Sequence, residues 1–297
     1  LNWSLPQFDI VKSNYSVQLA VTTMVHIREA TGEVYIGDGA NHTLAVLDHN
    51  GQTVRPPMPL EPEISPVDIK FDGTTAYIAS IGDLTAAKPS LAKPAFISSV
   101  RLADHRILPA TSMVVLDSLF RLADMDVADF NQDGRADFAV CGFGGVFGSF
   151  SWFEAEADGG FREHVMLPLP GAVGVEAHDF NLDGKEDIMV LMSDAREGLH
   201  LFVNEGGGEF AHHLLFETGA SYGHTRFSLQ DFDGDGLTDV MVTNGDNIDS
   251  DMYNTPKNYH GIRIYLNRGS FEFEEAYFYP MYGATDARAA DFDGDGD

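Results

Sequence analysis

The sequence predicts an all-β protein, a β-propeller of four-stranded blades, and three observations carry that expectation. First, the nonapeptide D-F-D-G-D-G-L-T-D at 231–239 recurs as D-F-N-Q-D-G-R-A-D at 129–137 and as D-F-N-L-D-G-K-E-D at 179–187, and starts again as D-F-D-G-D-G-D at 291–297. Second, the first aspartates of these copies are 50, 52 and 60 residues apart, a period suited to one four-stranded unit packed on its neighbours. Third, the flanks read as strand. E-A-H-D-F alternates before the 179–187 copy, and F-A-V, I-M-V and V-M-V follow the three complete copies.

Each copy places acidic or amide side chains at positions 1, 3, 5 and 9, with Gly at 6. Alternate side chains turn inward, the glycine permits the tight bend, and hard oxygen donors suit Ca²⁺. The candidate ligands are Asp129, Asn131, Asp133 and Asp137; Asp179, Asn181, Asp183 and Asp187; and Asp231, Asp233, Asp235 and Asp239. Position 7 would add the backbone carbonyl of Arg135, Lys185 or Leu237, and the position-9 aspartate is expected to close the shell with both oxygens. The last copy offers Asp291, Asp293, Asp295 and Asp297. An EF-hand would need Glu at position 12, where Val140, Val190 and Val242 stand instead. A metal-free Asx/Gly turn is the plainer alternative, and three full copies weigh against it.

In chain order the blades are expected at 15–60, 61–119, 120–168, 169–218 and 219–280, with 281–297 opening another. The first unit has strands at 24–27, 33–37 and 43–47, separated by the turn Ala30-Thr31-Gly32 and followed by a turn at 48–51. In the second, 68–73 reads as a decayed loop with Lys70 at position 3 and Ala76 at position 9, so no metal is expected there. Strands follow at 76–80, 96–102 and 113–116, around a variable stretch, 81–94. The later units repeat one plan: 123–130, 138–143, 150–154 and 161–167; then 174–180, 188–192, 199–204 and, after the glycine-rich turn 205–208, 210–217; then 225–232, 240–243, 262–266 and 271–278. Segment 1–14 reads either as a strand of another blade or as a loose end. The chain stops inside a loop, so a fragment of a longer protein is expected, with seven blades preferred and six or eight open.

Of 297 residues 44% are hydrophobic, enough for a large core, and the formal net charge is −28. That acidity argues against nucleic acid or anionic membrane as partner. No apolar run reaches transmembrane length, so direct membrane insertion is not expected. Cys141 is the only cysteine, which excludes an intrachain disulfide and reads as a buried structural thiol. Loops of modest affinity need more free Ca²⁺ than the cytosol holds, so an extracytoplasmic setting is expected. Asn2, Asn14 and Asn41 head N-x-S/T sequons, a common chance pattern.

With loops and period in place, the chain resembles the FG-GAP/VCBS repeat proteins, whose blades are similar to those of the integrin α-subunit propeller. The residues carrying the resemblance are the three D-F-[ND]-x-D-G-x-x-D loops and the phrases L-F-V-N-E-G (201–206) and I-Y-L-N-R-G (264–269). It covers 120–297 well and 15–119 weakly. The 259–269 stretch, with F-Y-P-M-Y-G at 278–283, resembles a bacterial secreted subgroup. The resemblance implies a propeller, calcium and export, and no substrate.

A ligand site is expected opposite the metal loops, on the expanded 244–260 connection. It carries Asp246, Asn247, Asp249, Asp251, Tyr253, Tyr259 and His260, with Tyr222, His224 and Tyr282 nearby. This mixture of carboxylate, amide and aromatic groups suits sugar recognition or a further cation; a solvated acidic cap is the plainer reading. Before each loop, offsets −2 and −4 are mainly apolar. Offsets −3 and −5 are mostly polar: Asp126 and Asp124, Glu176 and Gly174, Ser228 and Arg226, Arg288 and Asp286. On an innermost strand these would gather at the central channel, as satisfied ion pairs or as a ligand pocket. His212 and His213 are adjacent in a strand and point to opposite faces, a poor arrangement for one metal; His178 reads as structural. No nucleophile elbow, H-E-x-x-H, P-loop or Rossmann motif is present. The expected function is a non-catalytic, calcium-stabilised module that binds a protein or glycan, with self-association left open. The alternative is a carbohydrate-active lyase, dehydratase or hydrolase using Asp246, Asp249, Asp251, Tyr259 and His260.

Overall fold

The computed structural model describes residues 22–289 apart from 29, 61–64, 82–93, 104–105, 145–147, 195 and 247–255. Asn2 and Asn14, Asn247, Asp249, Asp251 and Tyr253, and the loop with Asp291, Asp293, Asp295 and Asp297 lie outside the described residues. The rest forms five antiparallel sheets whose strands follow one another in chain order, the blades of a β-propeller.

The first sheet holds β1 (Thr22–Arg28), β2 (Glu33–Asp38), β3 (Thr43–Leu47) and β4 (Thr53–Pro59). In the second are β5 (Pro66–Asp72), β6 (Thr75–Ser80), β7 (Ala95–Ala103), the two-residue β8 (Arg106–Ile107) and β9 (Met113–Leu119). The third comprises β10 (Leu122–Ala128), β11 (Asp137–Gly142), β12 (Ser149–Ala155) and β13 (Phe161–Leu167). The fourth has β14 (Ala172–His178), β15 (Asp187–Met192), β16 (Arg196–Gly206) and β17 (Glu209–Gly219). The fifth has β18 (His224–Gln230), β19 (Asp239–Asn244), β20 (Gly261–Asn267) and β21 (Phe273–Pro280).

Each sheet packs on the next, so its second strand is covered on both faces. All six residues of β11, β15 and β19 are buried, which explains their unbroken apolar runs. The core lies between sheets. Phe130, Trp152, Val175 and Val190 join the third sheet to the fourth; Ala79, Ile97, Met125 and Phe138 join the second to the third; Leu201, Phe227, Val240 and Val242 join the fourth to the fifth. Each of the buried Val, Leu, Ile, Phe and Met side chains among them contributes about 1.5–3 kcal/mol.

Three local expectations are corrected. The 68–73 stretch is not a shortened metal loop: Asp68 and Lys70 pair with Ala79 and Tyr77 inside β5, and the hairpin turns between Asp72 and Thr75. In the second sheet the turn after β7 first forms β8, which pairs at Leu102↔Ile107, before β9 takes the fourth place. In the first sheet β4 runs through Pro56 and Pro57. Proline cannot donate to a ladder, so such a strand must be outermost, and among the described strands β4 pairs only with β3.

The turn between β16 and β17 is set by Gly206, Gly207 and Gly208, all at positive φ. At Gly208 (φ +83°) an added Cβ would also lie 2.9 Å from the Trp152 ring of the preceding sheet. Gly208→Ala therefore combines left-handed strain with a clash against a buried indole. A loss of about 2 kcal/mol or more is expected in urea unfolding, of which left-handed strain accounts for roughly 1–2 kcal/mol.

Candidate metal loops, the charged hub and the fifth-sheet face

Each complete loop joins the first strand of its sheet to the second. In the 129–137 loop, the Asp129 oxygens accept from Asp133 N–H (2.9 Å) and Gly134 N–H (2.7 Å), and Asp133 Oδ1 accepts from Arg135 N–H (3.0 Å). The 179–187 loop repeats this with Asp179, Asp183, Gly184 and Lys185. In 231–239, Asp231 accepts from Gly234 and Gly236 N–H, and Asp235 from Leu237 N–H. The bend at position 4 is left-handed in all three, at Gln132, Leu182 and Gly234. Phe130 and Phe180, at position 2, are buried anchors.

The position-9 aspartates are fully buried. Asp187 accepts from Phe180 N–H (3.1 Å) and Asn204 N–H (2.7 Å), and Asp239 from Phe232 N–H and Asn267 N–H (both 2.8 Å). Asp137 accepts from Ala155 N–H and the Trp152 indole. Burial raises all three carboxyls, against these hydrogen bonds, Asp187 to about 6. Each oxygen keeps a second lone pair, so N–H donors and an ion can share the carboxylate.

The loops differ in charge. Asp231, Asp233 and Asp239 present oxygens within 4.8 Å of one another, a spacing one Ca²⁺ at 2.3–2.6 Å from each can span. Among the described residues this is the one such group. In the other two loops position 3 is the neutral Asn131 or Asn181. The Arg135 guanidinium lies on Asp133 and the Lys185 ammonium on Asp183, so an ion there must displace a cationic side chain from the position-5 carboxylate. In the third loop Arg268 of the neighbouring hairpin lies 3.0 Å from Asp233, so a cation must be displaced there too, but the loop carries four carboxylates. The donor set fits calcium in all three.

The polar offsets of the inner strands converge as a hub. Lys70 Nζ lies 3.2 Å from Glu176 and 3.6 Å from Asp126. Asp124 accepts from Val175 N–H (3.0 Å) and Asp126 from Ala177 N–H (2.7 Å), both across to the fourth sheet, and Arg226 approaches Asp124 at 4.0 Å. Burial, then neighbouring Asp68, pushes Asp124 up to about 8. Burial raises Asp126 to about 6 against the opposing pull of Lys70. Burial alone would lower Lys70, but Asp126 and the other carboxylates hold it well above its ordinary value. Asp286 and Arg288, on the next segment, pair with each other at 3.5 Å and are exposed.

Of the residues expected at the 244–260 face, Asp246, Tyr259 and His260 are described and come together with Tyr222 and His224. Tyr222 and Tyr259 stack at 4.9 Å. Tyr259 OH donates to the Ser221 carbonyl (3.0 Å), and the Gly223 carbonyl accepts from Asp246 N–H. Arg263, buried, lies over Tyr222 and Phe278 and donates to Asn244 (2.5 Å). His224 and His260 are buried. Burial, then Arg263, holds His224 down at about 4; burial, then Lys257, lowers His260. His260, fully buried, is thus a core residue rather than a presented acid or base. Tyr282 is exposed. Arg263 and buried Glu197, which accepts from Gly223 and His224 N–H, were not anticipated; Glu197 lies in the part of β16 that precedes the expected strand 199–204. His178 is structural, its Nε2 2.6 Å from Thr238 Oγ1 of the next sheet. Cys141 is buried.

Lys70→Met leaves Asp126 and Glu176 without their cation and is expected to cost about 3–5 kcal/mol in urea unfolding at pH 8. The loss shrinks toward pH 5, where a protonated Asp126 needs no counter-charge. His224 has a folded value near 4 against about 6.5 unfolded, so its stabilising contribution is present above 6.5 and is lost as pH falls toward 4. The His224→Gln variant should therefore lose less melting temperature than the parent over that interval.

A family model described as FG-GAP-like repeat matches twice, over residues 129–190 and 179–242. No curated protein matches the chain. Solved structures similar to it include a functionally unknown protein from Desulfotomaculum acetoxidans DSM 771, with TM-score 0.53, 12% identity, and coverage of 91% of this chain and 72% of that one. Kuenenia stuttgartiensis hydrazine synthase is similar at TM-score 0.56 and 12% identity, over 92% of this chain and 70% of that one. A Lactobacillus plantarum protein is similar at 0.51 and 13%, over 88% and 72%. At these identities the likeness is one of fold alone. Both repeat matches span pairs of metal-type loops, and those loops join the first two strands of successive sheets: the chain is a β-propeller that carries FG-GAP-like repeats over 129–242.

Proposed function

We propose that this propeller works outside the cytoplasm as a calcium-stabilised module that binds a protein or glycan partner. The observation that carries the calcium part is the convergence of Asp231, Asp233 and Asp239 in a loop with no cationic residue of its own. Paired N–H donors hold the loops in shape, so the ion would mainly cancel carboxylate repulsion and stiffen one face. An affinity in the 10⁻⁴–10⁻³ M range of extracellular calcium modules would fill the loops only where free Ca²⁺ is high, and the proposed setting follows from that assumption.

The partner surface is placed on the other face, around the stacked Tyr222 and Tyr259, both half-buried. Flat aromatic surface beside amide and carboxylate groups suits a sugar ring or an extended peptide. An enzymatic reading needs two carboxylates converging at glycosidase spacing. Among the described candidates for it, Asp246 is the one carboxylate, Tyr259 OH is engaged by Ser221, and His260 is buried.

About 1 mM Ca²⁺, the extracellular range, should raise the melting temperature, EGTA should reverse the rise, and Asp231→Asn should remove most of it. Asp187 near 6 must lose its proton before it can ligate, so binding by the second loop should weaken as pH falls below about 6. An unchanged melting temperature with and without the ion would overturn the calcium reading. A glycan array run beside a reducing-sugar release assay tests the rest: capture without release supports a binding module, and release of sugar replaces it with an enzyme.

A further inference from the structure

The outer hairpin of the fourth sheet brings together two histidines that are twelve residues apart in sequence. A bulge between Leu199 and His200 sets the register so that His200 faces Leu214 and Phe202 faces His212. Residues two apart on a strand share a face, so His200, Phe202, His212 and Leu214 lie on one side. The His200 and His212 rings are 15° from parallel with centroids 5.1 Å apart, and Nδ1 of His200 lies 2.9 Å from Nε2 of His212. A nitrogen contact that short at that centroid distance means two nearly coplanar rings meeting edge to edge, nitrogens aimed at each other. His212 also stacks on Phe202 at 4.6 Å and 13°, which sets its plane.

We propose that His200 and His212 form a two-imidazole site for a divalent transition ion, Cu²⁺ before Zn²⁺. Imidazole nitrogens suit these metals, whereas Ca²⁺ takes oxygen. With metal–nitrogen bonds of about 2.0–2.1 Å, two ligands at right angles stand about 3 Å apart, the separation already present. His212 is exposed, and a turn about its side-chain bonds that gives up part of its stacking on Phe202 lets both lone pairs face the ion. The bridging hydrogen moves to the outward nitrogen of its own ring, so each imidazole binds neutral and no proton is lost; water completes the shell. Burial and then the facing ring hold His200 down at about 4, consistent with a neutral pair. The adjacent His213 is excluded because its ring turns to Phe271 of the fifth sheet, 5.1 Å away. The ordering of Cu²⁺ over Zn²⁺ follows from the general stability series.

The test uses the whole chain in saturating Ca²⁺, titrated with Cu²⁺ and followed by EPR and spin-echo modulation. One tight equivalent is expected, with two imidazole nitrogens on the copper, displaced only by excess Zn²⁺. His200→Gln and His212→Gln should each weaken binding at least tenfold and reduce the nitrogen count to one, while His213→Gln changes neither. His212 is exposed, so its variant keeps the fold, checked by circular dichroism. Absence of a saturable equivalent, or unaltered binding in both single variants, which would assign the copper to others of the eleven histidines, overturns the proposal.

Discussion

Three of the five sheets hang on a carboxylate that never reaches solvent. Asp137, Asp187 and Asp239 each open the second strand of their sheet, fully buried. Asp187 and Asp239 reach a backbone N–H at the start of their own loop and another at the end of the third strand. Asp137 reaches the third strand through Ala155 N–H and Trp152. One side chain thereby ties loop and strands together. A buried carboxylate is costly unless it is fully hydrogen-bonded, so the loop must keep its shape for the sheet to keep its end. The metal-type loop is as much a latch as a cation cage, and an ion would complete a site that the backbone has already ordered.

The latch also explains why the copies differ at position 7. With Asn at position 3, the first two loops hold three ligand carboxylates each, and a basic residue at position 7 folds back onto the position-5 aspartate. The third loop holds four, has Leu237 at position 7, and draws its nearest cation from the neighbouring hairpin, where Arg268 reaches Asp233 at 3.0 Å. One carboxylate is thus offset from within each of the first two loops and one from outside in the third. Repulsion unrelieved within the loop is what a divalent ion would offset best, so the repeats are alike in shape and unequal in the charge an ion would meet.

The blade plan was legible because it is written in local chemistry: a glycine bend, acids at alternate positions, and β-branched runs buried on both faces. Reading failed where the deciding contact was long-range. Pro56 and Pro57 hid β4, since only its outermost place makes them tolerable. Asp68 and Lys70 were taken for loop remnants because an aspartate near a glycine looks the same in a turn or at a strand end; Lys70 is identified as an inner-strand residue by its bonds to Asp126 and Glu176, 56 and 106 residues away. The opposite faces of His212 and His213 followed from strand alternation, while the partnership of His212 with His200 needed the register and bulge of β16 against β17. At the 244–260 face the sequence marked Tyr222, Tyr259 and His260 as neighbours but could not say that His260 lies inside.

The hub shows how the sheets stay in register where apolar packing ends. Asp124 and Asp126 each accept from the backbone of the next sheet, 51 residues on, while Lys70 reaches forward from the sheet before. Four carboxylates, Asp68, Asp124, Asp126 and Glu176, face two cations, Lys70 and Arg226, so two positive charges are wanting. A proton supplies one of them: Asp124 near 8 is mostly protonated at neutral pH, against about 3.9 when unfolded. A carboxyl raised on folding favours the folded state as pH falls through 8 and gives no further gain below the unfolded value. His224, lowered on folding, acts in the opposite sense from 6.5 down to 4. Mild acid therefore tightens the centre of the propeller while it loosens the face of the fifth sheet, and the two responses are separable because Asp124 lies in the third sheet and His224 in the fifth.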